Sequence, residues 1–160
     1  MISFKDKILL ITGGTGSFGN AVLRRFLSTD IAEIRILSRD EKKQDDMRHA
    51  YQTECPEYAG KIKFYIGDVR DYCSIAPAFR GVDYVFHAAA LKQVPSCEFF
   101  PMEAVKTNVI GSNNVIDACV ENRVKKAIFR KTPSTMPLVK SKATLKAVSL
   151  SSKARFRRCR

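Results

Sequence analysis

The chain of 160 residues is long enough for one domain with a single hydrophobic core, and its 45% hydrophobic content is typical of a folded protein. Its formal net charge of +12 comes mostly from residues 130–160, where ten basic and no acidic residues leave 18 basic and 16 acidic residues in the first 129. This distribution argues against nucleic-acid binding by the main body, and the early apolar run Ile8–Ile11 is too short for a signal peptide or a membrane span.

Strand-like apolar runs alternate with helix-like stretches as far as residue 129, which is typical of a parallel sheet covered by helices. The predicted strands are Lys7–Thr12, Glu33–Ser38, Ile62–Ile66, Asp83–Ala88 and Lys126–Phe129. The predicted helices are Ser17–Leu27, Glu41–Gln52 and Met102–Asn122. Gly111 inside the last helix indicates close packing or a kink. The first and fourth strands are almost continuously apolar, so we expect them at the sheet centre.

A glycine-rich segment, residues 12–19 (TGGTGSFG), stands between the first strand and the first helix. Glycines there leave backbone N–H groups open at a helix N-terminus, where the helix dipole favours a pyrophosphate. Gly13 suits the tight turn, Gly16 the approach of phosphates, and Gly19 close packing of the helix. The segment predicts a dinucleotide-binding Rossmann fold, and the alternative is a glycine-rich turn that binds nothing. The cofactor-binding residues assigned here are Thr12, Gly13, Gly16, Ser17, Phe18 and Gly19.

The second strand ends in Ser38, Arg39 and Asp40, where the ribose of the adenosine half is expected. An acidic residue favours the free 2′-OH of NAD, whereas a guanidinium favours the 2′-phosphate of NADP. Both types are present. We favour NADP through Arg39 and keep NAD as the alternative; the other alternative is an exposed charged loop.

Two further candidate positions follow the third and fourth strands. Asp68 could accept a hydrogen bond from the adenine amino group, or it could cap the following helix. The small side chains of Ala88, Ala89 and Ala90 leave room for a flat ring such as nicotinamide. His87, just before them, is interpreted as a packed core histidine rather than a catalyst.

Five cysteines, an odd number, form no Cys-x-x-Cys pair, and the chain has only two histidines. This pattern predicts neither a disulfide framework nor a zinc site. We therefore expect no bound metal and a reducing, cytoplasmic location without membrane association.

Four segments together resemble one known family: residues 12–19, 38–44 (SRDEKKQ), 67–71 (GDVRD) and 87–98 (HAAALKQVPSCE). With the run MEAVKTNV at 102–109, they are similar to the extended short-chain dehydrogenase/reductases of bacterial polysaccharide synthesis. Within these, the resemblance is to UDP-N-acetylglucosamine 4,6-dehydratases with 5-epimerase activity, enzymes of capsule and O-antigen synthesis. It covers residues 1–129 almost continuously.

The resemblance implies a cycle in which the cofactor takes a hydride from C4 of the UDP-sugar and later returns it to C6. Between these steps water leaves across C5 and C6, and C5 is inverted. It also implies that Asp68 and Val69 hold the dinucleotide and that Ala88–Ala90 border the nicotinamide. Lys92, Gln93, Val94 and Pro95 are implied to approach the UDP-sugar. A complete family member is expected to be a homo-oligomer.

The chain departs from that family after Phe129. Neither the Ser/Thr-Asp-Lys segment nor the Tyr/Met-x-x-x-Lys helix of the family is legible, and no Tyr occurs beyond Tyr84. Residues 141–143 (SKA) resemble that helix weakly but lie about four residues too early in the chain, so the catalytic residues stay unknown.

We therefore divide the chain into an incomplete NAD(P)-binding Rossmann domain, residues 1–129, and a basic tail, residues 130–160. The domain is expected to be α/β, with five parallel strands in the order 3-2-1-4-5. The tail is interpreted as non-native or disordered and as the product of out-of-frame or foreign coding. The chain, as the NAD(P)-binding portion of a larger enzyme, is expected to be inactive alone. The alternatives are a cofactor-binding module or partner subunit without catalysis, or a nucleic-acid binder with a basic arm.

Overall fold

The computed structural model describes residues 3–91 and 94–129. The strands are β1 (Ile8–Thr12), β2 (Glu33–Ser38), β3 (Ile62–Ile66), β4 (Tyr84–His87) and β5 (Lys126–Phe129). The helices are α1 (Ser17–Leu27), α2 (Glu41–Glu54), α3 (Pro56–Ala59), α4 (Tyr72–Phe79), α5 (Val94–Phe99), α6 (Pro101–Val105) and α7 (Gly111–Glu121), with a π-helical segment (Lys106–Ile110) between the last two. The basic tail lies outside the described residues.

The five strands form one parallel sheet in the order β3-β2-β1-β4-β5, which confirms the predicted fold. β1 lies at the centre and pairs with β2 on one side and with β4 on the other. Its side chains alternate between the two faces of the sheet: Leu10 packs on one face, while Leu9 and Ile11 pack on the other. Because both faces are covered, the strand is apolar along its length.

Helices cover the two faces of the sheet and create two hydrophobic cores. On one face α1 and α2 pack Leu23, Leu27 and Met47 against the sheet. On the other face α4 and α7 pack their apolar side chains, which are Ile75, Ala78, Phe79, Val115, Ala118 and Cys119. Because all the strands are parallel, their carboxyl ends lie at one edge of the sheet, where ligand clefts form in such folds.

The predicted helix Met102–Asn122 is divided in the structure into α6, the π-helical segment and α7. The N–H of Gly111 donates to the carbonyl of Lys106, five residues back, which is the π-type bond. An added Cβ at Gly111 would lie 2.8 Å from Cγ2 of Val69, so this glycine permits close packing against the loop after β3. Sequence analysis did not predict α3, α4 or α5.

Within residues 3–91 and 94–129, no helix is both long enough and apolar enough to cross a membrane. In the same part of the chain, no group of three or more His, Cys, Asp or Glu side chains is arranged to hold a metal ion.

Candidate functional site

A cleft of about 330 Å³ lies at the carboxyl ends of β1 and β4. From β1 the chain continues to β2 on one side of the sheet, and from β4 it continues to β5 on the other. Such a switch point is the usual ligand site of an open parallel sheet. The cleft is lined by most of the cofactor-binding residues assigned from the sequence: Gly13, Gly16, Phe18, Gly19, Ser38, Arg39, Asp40, Asp68, Val69, Ala88, Ala89 and Ala90.

The turn after β1 depends on two glycines. Gly13 has φ of +65°, and an added Cβ would lie 2.7 Å from the backbone nitrogen of Ala89. Gly19 brings α1 onto the turn, because its Cβ would lie 2.6 Å from the carbonyl oxygen of Gly13. Both positions therefore exclude any side chain, and the turn is held between the ends of β2 and β4.

The N-terminus of α1 opens into the cleft and has no side-chain cap. Its N-cap is Gly16, which has no side chain to accept from the first N–H groups, and the first turn contains no acidic residue. The N–H groups of a helix N-terminus and the positive end of the helix dipole make this end suitable for an anion. The geometry is that of a phosphate cradle.

Ser38 connects the glycine-rich turn to the start of α2. Its hydroxyl lies 2.9 Å from Oγ1 of Thr15 and accepts from the N–H of Asp40 at 3.1 Å. Asp40 is the N-cap of α2, where its carboxylate accepts from the N–H of Lys43 at 3.0 Å. Its other carboxylate oxygen lies 3.2 Å from the Lys43 ammonium. These bonds to Lys43 hold the pKa of Asp40 below its usual value.

Charged side chains form a chain along the rim of the cleft. The Arg39 guanidinium lies 3.5 Å from the Asp68 carboxylate, which also accepts from the Arg70 side chain at 2.6 Å. Burial raises the pKa of Asp68, but the hydrogen bonds and charge of Arg70, with the charge of Arg39, outweigh it and leave that pKa lowered. Arg70 also forms a salt bridge with Glu103 of α6, so these ion pairs link the loops after β2 and β3 to the segment that follows β4.

Asp68 does not cap the following helix, so that alternative was wrong. The N-cap of α4 is Asp71, whose carboxylate accepts from the N–H of Cys73 at 3.0 Å. The backbone N–H of Asp68 instead donates to the hydroxyl of Ser74 at 2.8 Å, and its carboxylate is directed to Arg39 and Arg70.

His87 is buried below the cleft, as the interpretation of it as a core histidine requires. Its Nδ1 lies 2.6 Å from Oγ1 of Thr12, and its Nε2 lies 3.2 Å from the hydroxyl of Ser112. Burial lowers the pKa of His87 to about 4, so the ring is neutral at physiological pH. With both ring nitrogens occupied, it supports the end of β4 from within the core.

The π-helical segment closes the other side of the cleft. Asn108 accepts from the N–H of Leu91 at 2.9 Å and donates to the carbonyl of Leu91 at 3.1 Å, which fixes the loop after β4. The neighbouring Thr107 lines the cleft and is 7% exposed. Among the described residues its hydroxyl oxygen has no hydrogen-bond partner. A buried hydroxyl without a partner is unfavourable unless a ligand supplies one.

The remaining assigned residues lie elsewhere. Thr12 is fully buried beside His87, and Ser17 is the exposed first residue of α1. Lys92 and Gln93 lie outside the described residues; Val94 begins α5, which also contains the exposed Pro95. Sequence analysis missed Lys43 and Thr107 as residues that line the cleft, and also Thr15, Leu37, Gly67 and Leu91.

The parallel sheet with a glycine-rich cleft at its switch point defines a Rossmann-like fold of the short-chain dehydrogenase/reductase type. The chain belongs to the polysaccharide biosynthesis protein family, whose sequence model matches residues 9–138. A UDP-glucose 4-epimerase of Rickettsia akari is 58% identical over 149 residues, which are 91% of this chain and 42% of that protein. The chain therefore spans less than half the length of this relative.

Two solved structures show the same fold. Pen from Bacillus thuringiensis is 34% identical, with a TM-score of 0.77 and coverage of 96% of this chain and 46% of that one. The UDP-Glc/GlcNAc 4-epimerase of Campylobacter jejuni is 26% identical, with a TM-score of 0.66 and coverage of 96% and 49%. The resemblance to nucleotide-sugar enzymes of polysaccharide synthesis is thus confirmed at the level of the family, while the narrower dehydratase/5-epimerase identification stays a prediction.

Proposed function

We propose that the chain is the dinucleotide-binding portion of a nucleotide-sugar epimerase or dehydratase and that it binds NADP in preference to NAD. The observation that carries the proposal is the uncapped N-terminus of α1, which opens into the cleft behind the Gly13 turn. The pyrophosphate of a dinucleotide would meet both the N-terminal backbone of the helix and the positive end of its dipole there. When bound, the nicotinamide ring supplies the chemistry of accepting and returning a hydride.

The preference for NADP is supported by the different engagement of Arg39 and Asp40. Both carboxylate oxygens of Asp40 already contact Lys43. One oxygen caps α2 by accepting from the Lys43 N–H, and the other pairs with the Lys43 ammonium. Arg39 is about half exposed on the rim, and its contact is a 3.5 Å ion pair with Asp68. An exposed ion pair of this kind is weak, so a 2′-phosphate can compete for the guanidinium. Lys43 adds a second cation to the same part of the cleft.

The nicotinamide half is proposed to lie against the strand end formed by Ala88–Ala90. These residues line the cleft beside the glycine-rich turn, where the backbone nitrogen of Ala89 approaches Gly13. Thr107, on the π-helical side, presents the buried hydroxyl that lacks a partner among the described residues. We expect this hydroxyl to bond a ribose or amide group of the bound cofactor.

For the whole protein we propose a UDP-N-acetylglucosamine 4,6-dehydratase with 5-epimerase activity, on the resemblance of residues 87–98 and 102–109. Lys92, Gln93, Val94 and Pro95 are proposed to approach its UDP-sugar. A second candidate, UDP-glucose 4-epimerase, is favoured by the 58% identity to the Rickettsia akari relative. Incubating the chain with either UDP-sugar and NADP should give no product. A new 4-keto or epimerised product would identify the reaction and contradict our expectation that this portion is inactive alone.

Isothermal titration calorimetry with NADP and NAD tests the cofactor proposal. Arg39→Ala should weaken NADP binding about tenfold and leave NAD binding within about twofold, since one charge-assisted bond is lost. Arg48→Ala, at an exposed position of α2, is the matched control and should change neither. Absence of saturable heat with either dinucleotide would overturn the proposed function, and equal losses for both would overturn the role of Arg39.

A further inference from the structure

Gln44 is a buried polar side chain on an otherwise solvent-facing helix. It is 2% exposed, and with Met47 it makes up the buried face of α2. Its Nε2 donates to the carbonyl of Ser38 at 3.1 Å and to the carbonyl of Tyr65 at 2.7 Å. One side-chain amide therefore bridges the ends of β2 and β3.

These carbonyls belong to the last rungs of the β2–β3 ladder. Ser38 pairs with Ile66 in the register, and the Ser38 carbonyl also accepts from the N–H of Gly67 at 3.1 Å. Arg39 follows Ser38 directly, and Asp68 lies three residues after Tyr65; their side chains form the 3.5 Å ion pair on the rim of the cleft. The amide of Gln44 thus fixes the strand ends from which both charged residues extend.

Packing alone does not require an amide at this position. Burying an amide costs desolvation, and an unbranched apolar residue of the same length would fill the same volume at the helix–sheet contact. What the amide adds is direction: two hydrogen bonds to carbonyls on neighbouring strands set the spacing between the strand ends. The Ser38 hydroxyl also lies 2.9 Å from Oγ1 of Thr15 in the glycine-rich turn.

We propose that Gln44 is a positioning residue that sets the recognition of the cofactor's 2′-phosphate by holding the ends of β2 and β3 in register. The proposal rests on the proposed function. It predicts that loss of the amide weakens the binding of nucleotides that carry a 2′-phosphate more than the binding of adenosine nucleotides without one. The residue touches no ligand itself; it acts through the backbone that carries Arg39 and Asp68.

The test uses the 160-residue chain with the substitutions Gln44→Met and Gln52→Met. Gln52 is exposed on the same helix, so Gln52→Met is the matched control. Calorimetry with 2′,5′-ADP and with 5′-AMP, which differ only in the 2′-phosphate, gives the ratio of the two dissociation constants, in which any loss of folded protein cancels. We expect the preference for 2′,5′-ADP to fall about tenfold in Gln44→Met and to stay unchanged in Gln52→Met.

An unchanged ratio in Gln44→Met, with wild-type binding intact, would overturn the role of Gln44 alone. Failure of the wild-type chain to bind either probe would overturn the proposed function as well. NMR of the wild-type side-chain amide keeps the proposal testable if Gln44→Met does not fold. The Gln44 amide resonances should be protected from hydrogen exchange and should shift more with 2′,5′-ADP than with 5′-AMP; equal shifts would overturn the proposal.

Discussion

Acidification should destabilise the protein through His87, a ring that is 4% exposed. Burial lowers its pKa from 6.5 to about 4 in the native state, whereas the unfolded chain takes up the proton near 6.5. The unfolded state therefore binds more protons between these values, and stability falls as the pH falls through this window. At 1.36 kcal/mol for each pKa unit, acidification from pH 7 to pH 5 costs about 2 kcal/mol.

Urea unfolding at pH 7 and pH 5 measures this loss. His87→Gln removes the titrating group and should remove most of the difference between the two pH values, while His49→Gln, at an exposed position of α2, should retain it. Carboxylates contribute little in this range because their unfolded pKa values lie near 4. NMR titration of the two histidine rings of the chain checks the cause directly. A folded-state pKa of His87 near 6.5, or a wild-type stability that is the same at both pH values, would refute the reasoning.

Three further predictions concern backbone and core positions. Gly13→Ala should cost about 2–3 kcal/mol in urea unfolding and weaken dinucleotide binding, because φ is +65° and the methyl group would meet backbone; Gly60→Ala, in open space with φ of −63°, should be neutral or slightly stabilising. Arg35→Met should cost about 2 kcal/mol in the same assay, because the buried guanidinium donates to the carbonyl of Ala78 at 2.9 Å. Burial raises the pKa of the Cys119 thiol to about 12, so iodoacetamide at pH 8 should leave it unmodified by mass spectrometry while half-buried cysteines react. Equal stabilities of the two glycine variants, a neutral Arg35→Met, or rapid labelling of Cys119 would contradict these expectations.

The sheet could be predicted from the sequence because its central strands β1 and β2 are buried on both faces and therefore rich in apolar residues. β2, β3 and β5 have the predicted bounds, whereas β1 begins one residue later and β4 is one residue shorter at each end. The helix α4 was missed because it is only eight residues long and contains Pro77, which weakens any periodic signal. Short helices of this kind are stabilised by packing: its Ile75 and Phe79 are fully buried.

The parts of the candidate site that one contiguous segment forms could be predicted from the sequence. The contacts between segments that are distant in the chain could not. The glycine-rich turn is visible because its residues are contiguous and precede a helix. The alternatives for Asp68 could not be separated without the positions of Arg39 and Arg70, which reach it from different loops. Thr107 gives no sequence signal at all, since only the packing of its segment shows that its hydroxyl is buried beside the cleft.

The π-helical segment explains how one helix can serve both the core and the cleft. A π turn accommodates an additional residue, which in an α-helix would rotate all that follows by about 100°. With the extra residue absorbed before Gly111, α7 keeps Val115 and Ala118 against the sheet. At the same time Thr107 and Asn108 are directed toward the cleft and the loop after β4. The apolar spacing that predicted a single regular helix therefore describes α7. Thr107 and Asn108, near the proposed cofactor, belong to the π-helical segment instead.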